Sequence, residues 1–179
     1  CKLQKVHSFK AFIRAHAADP EAKLFYNDYS IDNINAKSDA VFTMITELVN
    51  AEVPIDGVGF QMHLDASNAP STQQMTDNFQ RFVDLDLDVN ISEIDVRLSS
   101  LPWDQVTKLA IQQQVYHRAV NACMNIERCD AVTVWGFTDK YSWIDGEFGP
   151  DDPLLYTAEY ERKPAYYALA DGFVGIAAD

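Results

Sequence analysis

Short apolar runs with strand-like alternation recur along the chain, and each gives way to a polar or aromatic cluster and then to a helical pattern. The strand candidates are residues 23–27, 57–61, 89–93 and 131–135. Their starts lie roughly 30 to 40 residues apart, the length of a strand, loop, helix and return turn. Between them, Val41, Phe42, Ile45, Leu48 and Val49 form one apolar stripe that ends before Pro54, and Met75, Phe79, Phe82 and Val83 form another. A longer helix is predicted over residues 103–126, with Pro102 suited to its first turn. Val106, Leu109, Val115, Ala119 and Val120 make its apolar face. A final helix follows Lys163-Pro164 and uses Ala165, Tyr166, Leu169 and Phe173, while an opening helix over residues 7–17 stops before Asp19-Pro20.

The order is a helix followed by four βα units, a pattern that builds a parallel α/β sheet. No linker or low-complexity stretch interrupts residues 1–179, so one domain is expected. A closed (β/α)₈ barrel takes about 250 residues and eight strands. The pattern therefore fits either half of such a barrel or an open sheet built from the same unit.

Composition narrows the partners. Fourteen basic against 27 acidic residues give a net charge of −13, which repels nucleic acid and anionic membranes. A neutral substrate is expected, and neither nucleic acid nor membrane is a predicted partner. Aromatic residues reach 12%, and several follow the predicted strands, where apolar sugar faces could stack on them. No apolar run is long enough to span a bilayer. The start at Cys1-Lys2-Leu3 has neither an initiator Met nor a signal segment, so a processed or truncated chain is expected. Of the 3 cysteines, Cys123 and Cys129 are spaced to close a small loop between a helix end and the next strand. Bridging is favoured over two buried thiols, it implies an oxidising compartment, and it leaves Cys1 over.

Four consecutive strand ends carry candidate chemistry: Asn27, Asp28 and Tyr29; Gln61 and His63; Glu93 and Asp95; Trp135 followed by Trp143. One such cluster is ordinary loop composition, whereas four at the same edge of a parallel sheet indicate a site. Glu93, at the end of the third strand, is the lead carboxylate. His63 on the neighbouring strand end could orient it, and Asp95 could hold His63 in turn. Zinc has no second His or Cys at ligand spacing. The run Asp84-Leu85-Asp86-Leu87-Asp88 departs from a calcium loop at the sixth and twelfth positions, Val89 and Asp95. Phosphate loops and the Gly-x-Ser-x-Gly elbow are not present in the sequence, and no metal or cofactor is predicted.

Longer segments carry a resemblance: Leu24-Phe25-Tyr26-Asn27-Asp28-Tyr29, Gly57-Val58-Gly59-Phe60-Gln61-Met62-His63-Leu64, Ser92-Glu93-Ile94-Asp95-Val96-Arg97, and residues 133–143 from Thr133 to Trp143. Pro153-Leu154-Leu155 and Lys163-Pro164-Ala165-Tyr166 continue it. In this order they resemble the C-terminal half of the catalytic domain of glycoside hydrolase family 10, the endo-1,4-β-xylanases. The resemblance implies half of a TIM barrel and retaining hydrolysis of xylan by a carboxylate pair. It assigns Glu93 as nucleophile, with His63 and Asp95 orienting it and Gln61 near the acid/base. Trp135 and Trp143 wall the sugar at the cleavage point, and Asn27 and Tyr29 fall on the leaving-group side. A Cys123–Cys129 bridge and secretion to the extracellular space also belong to the family pattern.

The family's acid/base Glu follows an Asn in a Trp-Asp-Val-Val-Asn-Glu type of segment, which this sequence does not contain. Glu21, Glu47, Glu52 and Glu127 fall on helices or at the wrong strand ends. Two outcomes are therefore expected. The chain is the nucleophile-bearing part of a xylanase whose N-terminal half lies elsewhere, or it is a catalytically incompetent half-barrel that forms a homodimer or binds xylo-oligosaccharides.

Overall fold

The computed structural model describes residues 2–175, with side chains described from Phe9 onward, so Cys1 lies outside the described residues. In chain order the elements are α1 (Lys2–Ala18), β1 (Phe25–Asp28), α2 (Ala36–Asn50), β2 (Gly57–Phe60), β3 (His63–Asp65), α3 (Thr72–Val83), β4 (Asp88–Arg97), α4 (Gln105–Met124), β5 (Cys129–Val134), α5 (Ile144–Phe148) and α6 (Pro164–Val174). A 3-10 turn at Asp139–Tyr141 precedes α5.

Every strand pairing is parallel, as the alternating units predict. β1 pairs with β2, β2 with the first half of β4, and β5 with β4. The second predicted strand, 57–61, is observed as β2, and a further short strand, β3, follows it where a loop was expected. Gly57 to Phe60 pair with Asp88 to Ile91, and His63 to Asp65 then pair with Asp95 to Arg97. Between them Met62 takes a left-handed backbone, φ 61°, which interrupts the ladder. Because β3 pairs with its later residues, β4 runs on to Arg97 and Glu93 lies inside the strand instead of at its end.

β4 is also bulged. Ile91 and Ile94 sit opposite Val132 and Val134, three steps against two, so the phase of the strand changes across Ser92-Glu93. Ile91 and Ile94 both remain buried in the core across this change. Without the extra residue, Glu93 would share the apolar face of Ile91.

The helices follow their stripes. Val41, Ile45 and Leu48 of α2, Met75, Phe79 and Phe82 of α3, and Val115, Tyr116 and Ala119 of α4 share one core with Val58, Phe60, Val89 and Ile91. The Phe60 ring lies 4.3 Å from Phe79 and 5.6 Å from Phe82, centroid to centroid. Asn35 caps α2, and Ser71 with Gln74 closes a capping box on α3.

Two expectations for α4 need correction. It starts at Gln105, because the Asp104 carboxylate accepts the Thr107 N–H at 2.9 Å and sets the cap there, leaving Pro102 before the helix. Val106, in the first turn, is 80% exposed and belongs to no apolar face. Phe173 near the end of α6 is likewise exposed.

Cys123 at the end of α4 is bridged to Cys129 at the start of β5, with Cα atoms 5.3 Å apart. Closing so short a loop contributes about 2–2.5 kcal/mol in the chain-entropy account. A Cys123→Ala, Cys129→Ala double variant is expected to lose about that much in urea unfolding. Equal midpoints for variant and parent would assign the bridge no stabilising role.

A buried ion pair ties the last third together. Lys163 Nζ donates to Asp139 Oδ2 at 2.9 Å and to the Asp152 carbonyl at 2.6 Å, and the Leu154 N–H donates to Asp139 Oδ1 at 2.7 Å. Burial raises the Asp139 pKa to about 6 and lowers that of Lys163. Among the described residues no helix is long and apolar enough to cross a membrane.

Candidate active site

The site is built where three parallel strands present alternate residues to the face opposite the helices. Asn27 on β1, Gly59 on β2 and Asn90 on β4 are partners in register. Gly59 is required here, since a Cβ would stand 2.7 Å from Asn27 Oδ1 and push that side chain away. Asn27 is then free to turn to β4. Its Nδ2 donates to Glu93 Oε1 at 2.7 Å, and its Oδ1 accepts from Ser92 Oγ at 2.7 Å. The bulge thus places two neighbouring residues, Ser92 and Glu93, against one amide.

The other Glu93 oxygen, Oε2, lies 3.3 Å from His63 Nε2. His63 opens β3, directly after the left-handed Met62. Its Nδ1 is 2.9 Å from Asp95 Oδ2, and Trp143 Nε1 donates to the same oxygen at 2.8 Å. The side chains of Glu93 and His63 are 14% and 18% exposed, and that of Asp95 only 1%. Burial alone would lower the His63 pKa, but the hydrogen bond and charge of Asp95, and then Glu93, outweigh it and raise the value. Both ring nitrogens face carboxylates, so only the doubly protonated imidazole can donate to both. Chemically, the arrangement is a carboxylate whose two oxygens are fixed in direction by an amide and an imidazole, with one buried acid behind the imidazole.

Aromatic rings enclose this relay. Trp143 meets the His63 ring edge to face with centroids 5.0 Å apart, and Trp135 does so at 6.4 Å. Both stay accessible, at 38% and 48%. A cavity of about 460 Å³ opens beside His63 and Asp95, with Tyr29, Gln61, Trp143 and Phe148 in its walls. Glu93, Asn27 and Trp135 lie outside those walls. Tyr29 is held by Lys37, whose Nζ sits 3.4 Å from the ring centroid and donates to the Tyr29 carbonyl and to Asp28 Oδ1, at 2.6 and 2.8 Å.

The structure therefore brings Glu93, His63, Asp95, Asn27 and Trp143 into direct contact, and groups Tyr29 and Gln61 with Trp143 around the cavity. Asn27, assigned by resemblance to the leaving-group side, touches the carboxylate itself. Residues not singled out from sequence are Ser92, Lys37 and Gly59. Gly59 alone left a signal, as a glycine within a strand pattern, which marks a close approach of other atoms.

Comparison with known proteins identifies the family. The model of glycosyl hydrolase family 10 matches residues 6–172. The chain is 40% identical over 161 residues to endo-1,4-beta-xylanase 1 of Humicola insolens, covering 89% of this chain and 37% of that protein. It is 42% identical over 163 residues to endo-1,4-beta-xylanase B of Thermotoga neapolitana, covering 90% of this chain and 46% of that one. Among solved structures, xylanase 10B from Thermotoga petrophila in complex with xylobiose superposes with a TM-score of 0.89 at 40% identity, over 94% of this chain and 51% of the other. The chain thus spans about half the length of these relatives or less, and its parallel units are the C-terminal half of a TIM barrel. A match over nearly all of the described residues, carried by both sequence and shape, places this chain in glycosyl hydrolase family 10.

Proposed function

We propose that this chain is the nucleophile-bearing part of a retaining endo-1,4-β-xylanase, with Glu93 as the attacking carboxylate. The observation that carries the reading is the fixed line from Asn27 through Glu93 and His63 to Asp95, beside exposed tryptophans. In this mechanism Glu93 attacks the anomeric carbon of a xylosyl unit and forms a glycosyl ester as the glycosidic bond breaks. The departing oxygen takes a proton from a second carboxyl, which then removes a proton from the water that frees the sugar. His63 and Asp95 orient Glu93, Trp135 and Trp143 wall the reacting ring, Asn27 and Tyr29 fall on the leaving-group side, and Gln61 stands near the acid/base.

The second carboxyl is supplied from outside this sequence, by the N-terminal half of the barrel. Loss of acid catalysis alone costs roughly 10²–10⁴-fold. Incubated alone with xylan, the chain is expected to release little reducing sugar. Robust turnover that disappears in Glu93→Gln would show a complete site within the chain and sink that part of the reading. The Cys123–Cys129 bridge supports a secreted protein, since such bonds persist in oxidising compartments.

A second reading, a half-barrel that pairs with another copy or only binds xylo-oligosaccharides, draws on a different observation. Among the described strands β1 and β5 each have one unpaired edge, and such edges invite pairing.

A further inference from the structure

Asp32, in the loop between β1 and α2, carries a charge for which the proposed reaction has no use. Its residue is 7% exposed, and its Oδ1 has no hydrogen-bond partner among the described residues. A buried carboxylate left partly unpaired is costly, and such a cost persists where the group has another task. A polar cavity of about 380 Å³ is lined by Asp32 and His63 together, with Asn33, Asn68, Asp65 and Arg97. The last two are occupied with each other, Arg97 Nη2 lying 2.8 Å from Asp65 Oδ2.

What faces Asp32 points to that task. Burial pushes its pKa up to about 6, against the backbone N–H groups of Asp32 itself and Met62 and the charges of His63 and Lys37. Met62 is the left-handed residue that parts β2 from β3, and His63 is the first residue beyond it. The carboxylate therefore shares a cavity with the imidazole and lies within reach of the field of both its charge and the joint that places it. The other charged groups around His63 are Glu93 and Asp95, which pair with it from β4, and Asp65 of β3 and Arg97 of β4, which line the same cavity. Lys37 of α2 acts on Asp32 from the other element packed there.

We propose that Asp32 is a positioning residue for His63: its carboxylate backs the Met62 joint and gives the imidazole a third negative neighbour beside Glu93 and Asp95. The inference rests on the proposed role of His63 in orienting Glu93, and its test reads His63 directly, so that a failure of turnover and a failure of this coupling are separate results.

The measurement is an NMR titration of the imidazole signals of the whole chain, with His63 picked out from the 4 histidines by a His63→Gln variant. Asp32→Asn keeps the side chain's shape and removes its charge. It is expected to weaken proton binding at His63 about threefold, less than the loss of Asp95 or Glu93 would, since those two touch the ring and Asp32 acts across the shared cavity. Asp32→Glu, which retains the charge, is expected to restore most of that affinity. An unchanged His63 midpoint in folded Asp32→Asn overturns the proposal. If the variants do not fold, the carboxyl carbon signal of Asp32 in the parent chain decides: a second inflection at the His63 midpoint supports the coupling, and a single inflection overturns it.

Discussion

Lys163→Met is expected to destabilise the fold by about 3–5 kcal/mol, the usual cost of leaving one member of a buried ion pair without its partner. Lys163 and Asp139 are both almost fully buried, so water cannot replace the lost ammonium. The Asp139 oxygens would keep the Leu154 N–H but lose the only cation at hydrogen-bond distance among the described residues. Sign and pH window follow from the raised Asp139 pKa. The folded state binds this proton more tightly than the unfolded chain, so the Asp139 carboxyl weighs against folding increasingly as the pH rises from its ordinary value of 3.8 to about 6, fully above that, and not at all below 3.8. Lys163 holds the Asp139 pKa down, so its removal raises the value beyond about 6, and the loss in Lys163→Met should be greatest at neutral pH and above and shrink as the pH falls toward 6. Adding Asp139→Leu should recover part of it, because the apolar pair needs no solvation but leaves the buried Leu154 N–H without its acceptor. Urea unfolding of the two variants at pH 7 and pH 5 checks both statements, and a loss equal at both pH values would show that the pair's charge is not the cause.

The second large effect concerns Glu93. When the chain is joined to the N-terminal half of a related barrel, xylan hydrolysis is expected to appear, and Glu93→Gln in that assembly to reduce it by at least ~10⁴-fold, the scale on which removal of a nucleophile acts. Nucleophile and orienting residue are told apart by rescue. With Glu93→Ala and an activated aryl β-xylobioside, azide can enter the vacated space, bond to the anomeric carbon and expel the phenolate. The product would be an α-glycosyl azide, of inverted configuration. Turnover undiminished in Glu93→Gln would remove Glu93 from the role of nucleophile, and a β-configured azide product would show that azide does not attack from its side.

Much of this architecture is visible in the residue pattern, and what is hidden has identifiable causes. Helical stripes such as Val41, Ile45 and Leu48 announce themselves because burial repeats with the helical period. The short strand β3 does not, because the joint that starts it falls on Met62, and methionine carries none of the signals that glycine or asparagine give for a left-handed backbone. The bulge at Ser92-Glu93 is silent for a similar reason: polar residues there suit either face, and only the pairing with β5 reveals the extra residue.

Site contacts divide along the same line. His63, Glu93 and Asp95 stand on neighbouring strands, so their meeting can be anticipated from the order of the strands alone. The touch of Asn27 on Glu93 depends on the register between β1, β2 and β4, which no local pattern encodes. The indole of Trp143 reaches Asp95 across 48 positions of sequence, past α4 and β5 and through a 3-10 turn that the sequence presents as part of a polar loop. Asp32, in a loop rich in Asn and Asp, looks like any solvated loop acid until its burial is known.

The Trp143 to Asp95 hydrogen bond also bears on when the site comes into being. A ribosome delivers Glu93, His63 and Asp95 well before Trp143, and later still the Lys163 that braces the turn at Asp139. A nascent chain therefore carries the carboxylate, the imidazole and the buried acid before the indole that completes their surroundings has been made. In this chain the carboxylate comes early and part of its surroundings late, so the hydrogen bond to Asp95 waits until Trp143 and Lys163 have been made.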